Sequence, residues 1–406
     1  MENKITKPLE GVRVIELSTF VAAPTAARAM ADWGADVVKI ETSSGDPVRY
    51  TGPLNKMPFN HFENVTFDLE NANKRGIVIN MKTLEGMEIF NKLLENAEVF
   101  ITNWREDALQ RANIDYDKLK EKYPKLIYGQ ITGYGDDGPD KDLPGFDYTA
   151  YYARGGIMGT LYEKGTSPMN LVPGLGDHQA GMFLCAGICA SLLKSRITGK
   201  GEKVTVSLYH TAVYGMSIMV QSAQYGNQYP ISRKDSTSPL LNSYKTKDER
   251  WIEIAMPPYN QFYSKFMTII GREDLAMDQR YSTIENLSGK QKELCEIIET
   301  QFLQKDLEEW KKILTEKDIP FGVAQLWEEI LEDEQAWASN ILESKEYSTG
   351  NTRTLVRTPV MFKEMGLPEY KCGPLIGEHT NEILEELGYS KEDIKKLCEE
   401  KIAKGL

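Results

Sequence analysis

An α/β fold class is predicted, with a large doubly wound parallel-sheet domain and a smaller α+β domain, and three observations carry it. Short apolar runs of strand length alternate with helix-length segments through the first half of the chain, the pattern of βαβ units that pair in parallel. The chain turns polar around Pro230 to Pro239, and new strand-like and helix-like stretches follow from Trp251 to Trp310. With 406 residues and 41% hydrophobic content, there is enough apolar surface for more than one core.

Val12 to Leu17 is a largely apolar run of strand length. After Pro24 a helix-compatible stretch continues to Trp33, Gly34 stops it, and Asp36 to Ile40 reads as the next strand. Gly76 to Asn80 is a third strand. Thr83 then caps a helix that places Met87, Phe90 and Leu94 on one face, and Ala97 to Thr102 is a fourth strand. Asp115 to Tyr123 reads as a short helix and Leu126 to Ile131 as a strand, which completes a Rossmann-like alternation. Thr132 to Gly159, rich in Gly, Pro and Asp, reads as a long functional loop. Gly181 to Lys194 is apolar nearly all round and suits a helix buried inside the fold, with Asp177 just before it.

Composition excludes several function classes. The formal net charge of -12, from 60 acidic and 48 basic residues, repels a polyanion, so nucleic acid is not expected as a partner. Met1 to Gly11 is polar and the longest apolar stretches carry polar interruptions, so no membrane segment is expected and the chain reads as cytoplasmic. Five cysteines, with no CxxC pair, read as reduced structural thiols, and no metal site is visible. The first βα turn, Ser18 to Pro24, has no glycine to admit a pyrophosphate, which disfavours a nicotinamide dehydrogenase. No GxxxxGK[ST], GxSxG or HExxH motif occurs.

Two stretches stand out. In Gly174-Leu175-Gly176-Asp177-His178-Gln179-Ala180-Gly181 an acidic residue between glycines opens an apolar helix. Such an aspartate is either a helix N-cap or a functional carboxylate, and propensity by itself favours the cap. Gly133-Tyr134-Gly135, followed by Gly145-Phe146-Asp147-Tyr148, is either a set of turns or a ligand loop.

Taken in order, Gly11 to Leu17, Trp33 to Glu41, Gly45-Asp46, Asn73-Lys74-Arg75, Gly133-Tyr134-Gly135 and Gly176-Asp177 resemble the family III CoA-transferases, from Leu9 to about Gly388. The run Lys141 to Ala150, with Val172 to Met182 and Asp333 to Ala338, is similar to the subgroup of cinnamoyl-CoA:phenyllactate and 2-hydroxyisocaproate CoA-transferases. The resemblance implies that Asp177 attacks the donor thioester to give an acyl-aspartyl anhydride, which CoA thiolate converts to an aspartyl-CoA thioester. It implies CoA contacts at Val21, Ala22, Ala23, Lys74, Asn103, Trp104 and Arg111, with Tyr134 near the thioester. CoA or acyl-CoA is then a substrate, a small carboxylic acid its partner, and no cofactor is tightly bound.

A carboxylate nucleophile fits this chemistry, because a mixed anhydride conserves the acyl energy of the thioester if water is excluded. A helix N-terminus beside Asp177 is expected to keep it ionised, and the N–H groups of adjacent glycines to hold the oxyanion.

Further implications concern architecture: a large CoA-binding domain begun by residues 1–200, a linker over 201–229, a small domain over 230–330, and a segment 331–406 returning to the large domain. Two chains are expected to interlock as a homodimer. Thr42 and Thr132 replace basic residues of the formyl-CoA:oxalate enzymes, and no tetraglycine loop lies between Pro230 and Trp251, so oxalate is not the expected substrate. The racemases of the same fold need a histidine where Phe146 stands, and phenylalanine transfers no proton. Carnitine-like, bile-acid and dicarboxylate acyl groups are the alternatives within the family. A non-catalytic acyl-CoA-binding protein is the alternative outside it, and the intact Asp177 argues against that.

Overall fold

The computed structural model describes residues 7–57 and 59–406, so the first six residues of the polar start lie outside it. Its elements run β1 (Arg13–Leu17), α1 (Ala22–Asp32), β2 (Asp36–Glu41), α2 (Val65–Asn71), β3 (Arg75–Val78), α3 (Leu84–Glu95), β4 (Val99–Thr102), α4 (Glu106–Arg111), α5 (Tyr116–Lys122) and β5 (Ile127–Thr132). A π-helical turn, Asp147–Ala153, and α6 (Ile157–Thr160) precede α7 (Leu175–Thr198), β6 (Lys203–Ser207), α8 (Leu208–Gly215) and α9 (Ser217–Ala223).

The six strands form one sheet in the order β3-β2-β1-β4-β5-β6, every pair parallel. Strands buried on both faces read as largely apolar runs, as β4 does and as β1 does apart from Arg13 and the ion-paired Glu16. One face packs on α1 and α7 through Ala26, Met30, Leu184 and Ile188. The other carries Phe90 and Leu94 of α3.

The remaining elements are β7 (Leu241–Lys245), β8 (Trp251–Ala255), α10 (Tyr259–Ile269), α11 (Gln291–Phe302), α12 (Leu307–Glu316), β9 (Phe321–Val323), α13 (Trp327–Glu332), α14 (Glu334–Ala338), β10 (Leu342–Glu346), β11 (Thr352–Val356), α15 (Thr380–Glu386) and α16 (Lys391–Glu399). The chain divides into two compact units, Gly159–Met169 with Ser222–Asp333 making the smaller one. In that unit β7, β8 and β9 form an antiparallel sheet, and stacked Tyr244, Phe302 and Trp310 sit in its core.

Three expectations differ from what is found. The stretch 201–229, read as a linker, supplies β6, which pairs with β5 from Tyr128↔Lys203 to Thr132↔Ser207. The apolar helix begins at Leu175 rather than Gly181, so Asp177 lies in its first turn. Nor is that helix wholly buried: Phe183, Leu193 and Ile197 are 44%, 65% and 76% exposed. An all-round apolar helix signals burial against something, and within one chain only one face of α7 meets the sheet. By length and composition α7 would also pass for a membrane span, yet its Leu184 and Ile188 belong to the sheet core.

The C-terminal segment packs on the large unit. Ile383, Leu384, Ile394 and Leu397 join the core on the α3 face. Asn80 N–H donates to the Ile402 carbonyl at 2.7 Å and Ile79 bridges Ala403, which brings the chain end to the C-terminal edge of β3.

Candidate active site

In a doubly wound sheet, the crevice lies where strand order reverses, outside the carboxyl ends of the strands. Here the reversal falls between β1 and β4. The loops leaving these strands are tied to each other: Thr19 N–H donates to Asn103 Oδ1 at 3.1 Å, and Asn103 Nδ2 donates to the Thr19 carbonyl at 2.7 Å. On either side of this tie lie two cavities of about 760 and 750 Å³, both lined by Thr19 and Trp104. Asp177 lines the first.

Two glycines place Asp177. At Gly181, a Cβ would stand 2.5 Å from the Ala22 carbonyl oxygen, so only glycine lets α7 press against the start of α1. At Gly176, a Cβ would lie 2.2 Å from Tyr151 Cγ and 2.6 Å from Asp147 Oδ1. The first turn of α7 is therefore clamped between the Val21-Ala22 turn and the π-helical turn.

Asp147 occupies the position that a helix N-terminus offers to an anion. Its Oδ1 accepts the Gly176 N–H at 3.0 Å, and the amides of Gly174 and Leu175 also favour its charge. Its Oδ2 is buried without a hydrogen-bond partner, and burial outweighs the amides to raise its pKa. This corrects two expectations. The Gly176 amide is spent on Asp147 and does not face an oxyanion. Asp177 is not held low by the helix: burial first, then the Asp147 charge, pushes its carboxyl up to about 7. His178 opposes that rise. Its Nε2 lies 2.7 Å from Glu70 Oε1, and although burial pulls its pKa down, the Glu70 carboxylate pushes it up to about 9. Thr25 Oγ1 donates to the other Glu70 oxygen at 2.7 Å.

The other anticipated contacts divide. Val21, Ala22, Asn103 and Trp104 line the first cavity, whereas Ala23 is buried behind it. Arg111 stands exposed on α4, paired at 2.6 Å with Asp107, which lines the cavity, so it reaches the rim and not the floor. Tyr134 is outside the lining; its ring packs near Tyr209, with the Arg154 guanidinium over it. Lys74 departs furthest from expectation. Its three N–H donors serve Glu16 at 2.7 Å, the Pro24 carbonyl at 3.0 Å and Asn71 at 2.9 Å, which leaves none for a ligand. Burial pulls its pKa down to about 8 against the attraction of Glu16.

Several lining residues were not anticipated. Arg105, Lys141 and Lys203 bring positive charge to the first cavity, and Lys82, Lys401 and Lys404 to the second. Lys82 follows β3 closely, so the strand-end rule points to it. Lys401 and Lys404 arrive by a long-range return that carries no local signal. No group of three His, Cys, Asp or Glu residues suited to a metal occurs among the described residues. The five cysteines are free thiols.

The sequence model of CoA-transferase family III matches residues 9–380. The chain is 56% identical over 405 residues to a cinnamoyl-CoA:phenyllactate CoA-transferase of Clostridium sporogenes, covering 99% of this chain and 98% of the relative. It is 50% identical over 396 residues to an (R)-2-hydroxy-4-methylpentanoate CoA-transferase of Clostridioides difficile, covering 98% and 99%. A CAIB/BAIF family protein from Brucella suis superposes with a TM-score of 0.80 at 27% identity, over 94% of this chain and 99% of that one.

Proposed function

The chain belongs to CoA-transferase family III, and from that premise we propose that it transfers CoA from an acyl-CoA to a free 2-hydroxy acid of the phenyllactate or 2-hydroxyisocaproate kind, through a covalent intermediate on Asp177. The observation that carries the reading is Asp177 itself, a carboxylate in the wall of a cavity at the switch point of the sheet. The two relatives act on these acids by name.

An Asp177 oxygen attacks the thioester carbonyl, the C–S bond breaks and CoA thiolate leaves, giving a mixed anhydride. Thiolate attacks the aspartyl carbonyl and releases the donor acid as its carboxylate. The acceptor carboxylate then attacks the aspartyl-CoA thioester, and returning thiolate attacks the new acyl carbonyl, restoring Asp177. The first attack needs Asp177 ionised, and a raised pKa makes its carboxylate a better nucleophile once it is deprotonated.

CoA spans the two neighbouring cavities, with its thioester end by Asp177 and its phosphates toward the lysines of the second cavity and Arg111 at the rim. The protein works in the cytoplasm as a homodimer. The apolar surface of α7 and α8, where exposed Phe183 meets Tyr214 edge to face, supports a second copy covering it.

The test is incubation with acyl-CoA in the absence of acceptor, followed by hydroxylamine or borohydride and mass spectrometry of the peptide that contains Asp177. Modification at Asp177 that is lost in Asp177→Asn supports the covalent route. An unmodified peptide under turnover refutes it in favour of direct attack by the acceptor.

A further inference from the structure

Two phenylalanines face the same cavity as Asp177. Phe20 and Phe146 both line it, 36% and 55% exposed, and their rings meet edge to face with centroids 5.9 Å apart at 87°. Leu143 and Pro144 extend the apolar wall. Exposed rings inside a cavity are unfavourable in water and become favourable once an apolar group covers them.

Each ring is delivered by its own backbone device. Phe20 has φ of +63°, a region that a bulky residue rarely adopts. Its N–H donates to Asp46 Oδ1 at 3.1 Å, and Asp46 is itself fixed by the Val48 N–H at 3.0 Å and by buried Lys39 at 3.0 Å. Lys39 in turn pairs with Glu16 at 2.9 Å on β1. A buried charge network thus holds the left-handed turn. Phe146 opens the π-helical turn, its N–H donating to Thr149 Oγ1 at 3.0 Å, directly before the Asp147 that grips α7.

We propose that Phe20 and Phe146 form an aromatic jaw that sets specificity, seating an aryl ring on the acyl group or the acceptor acid in preference to a branched aliphatic group of similar size. The inference rests on the CoA-transfer reading of Asp177 and names the substrate class of that site. A branched side chain gains only buried area from the two rings. An aryl ring gains the same area and also edge-to-face contacts, because ring edges are positive and ring faces negative.

The experiment measures CoA transfer from one fixed acyl-CoA donor to 3-phenyllactate and to 2-hydroxy-4-methylpentanoate, compared as the ratio of kcat/KM. The common donor cancels in the ratio. The wild type is expected to favour phenyllactate. Phe20→Leu and Phe146→Leu keep an apolar side chain but remove the ring, and each should lower the ratio by about 3- to 10-fold, the size of an aromatic pair contact. Phe146→Tyr, which retains the ring, should keep it. A ratio unchanged in both leucine variants, or a wild type that prefers the branched acid, overturns the proposal. Wild-type enzyme that transfers CoA to neither acid overturns the 2-hydroxy-acid reading on which the proposal stands.

Discussion

Replacing Asp147 by asparagine should let the enzyme work at lower pH. Asp147 sits at the start of α7 with Oδ1 on the Gly176 amide, a bond that asparagine retains through its own carbonyl oxygen. What the substitution removes is a negative charge beside Asp177. The Asp177 carboxyl is pushed from 3.8 up to about 7, with burial the larger cause and Asp147 the second. As the second cause, Asp147 contributes less than burial does, so its loss should lower the Asp177 pKa by about 1, or ~1.4 kcal/mol. Asp177 attacks as the carboxylate, so activity is lost as pH falls through its pKa in the free enzyme. The acid limb of kcat/KM should therefore move down by about one pH unit, with a modestly lower plateau because a less basic carboxylate is a weaker nucleophile. The assay is kcat/KM for acyl-CoA from about pH 5 to pH 9. His178, charged up to about 9 by Glu70, is present in both proteins, so its contribution does not account for a difference between them. An acid limb that stays in place or moves up would refute the electrostatic role of Asp147.

Asp177→Asn should raise thermal stability at neutral pH by at most about 4 kcal/mol, read as Tm, and change little near pH 4. The sign follows because Asp177 binds its proton more tightly folded than unfolded, so its burial lowers stability as pH rises from 3.8 to about 7. Lys74→Met leaves Glu16 with Lys39 as its remaining ion-pair partner and should lower stability by about 3 kcal/mol, measured by denaturant unfolding. Lys82→Ala should instead weaken CoA binding by about 1.5–3 kcal/mol, measured by calorimetry, and Arg111→Ala on the exposed rim by about 1. Gly181→Ala should cost about 1–3 kcal/mol and reduce transfer, because the added methyl meets the Ala22 carbonyl at 2.5 Å and lifts Asp177 from the cavity wall.

The alternation of strand and helix was legible because a strand buried on both faces is a largely apolar run. Val12 to Leu17 and Ala97 to Thr102 overlap β1 and β4 closely. The strand Lys203–Ser207 escaped because its alternating polar residues, Lys203 and Thr205, find partners in Asp136. The hairpin of β10 and β11 escaped for a similar reason: its mostly polar strands face solvent, and its one fully buried apolar residue in β11 is Leu355.

Local chemistry singled out the proposed nucleophile. An aspartate flanked by glycines at the mouth of an apolar helix is visible in eight residues, and the order of motifs from Gly11 to Asp177 identifies the family. The ionisation of that aspartate was decided only by the fold. Asp147, thirty residues earlier in the chain, takes the helix amides that the sequence assigned to Asp177, and then raises the pKa of Asp177 by its own charge. Likewise Lys74 stands in a motif that suggests a ligand contact, yet the sheet buries Glu16 of β1 next to it, and that carboxylate, shared with Lys39, claims the lysine. Residue type and spacing are properties of the chain itself. Burial and the nearness of another charge belong to the packed structure, and at a buried site those two terms determine which form of each group exists.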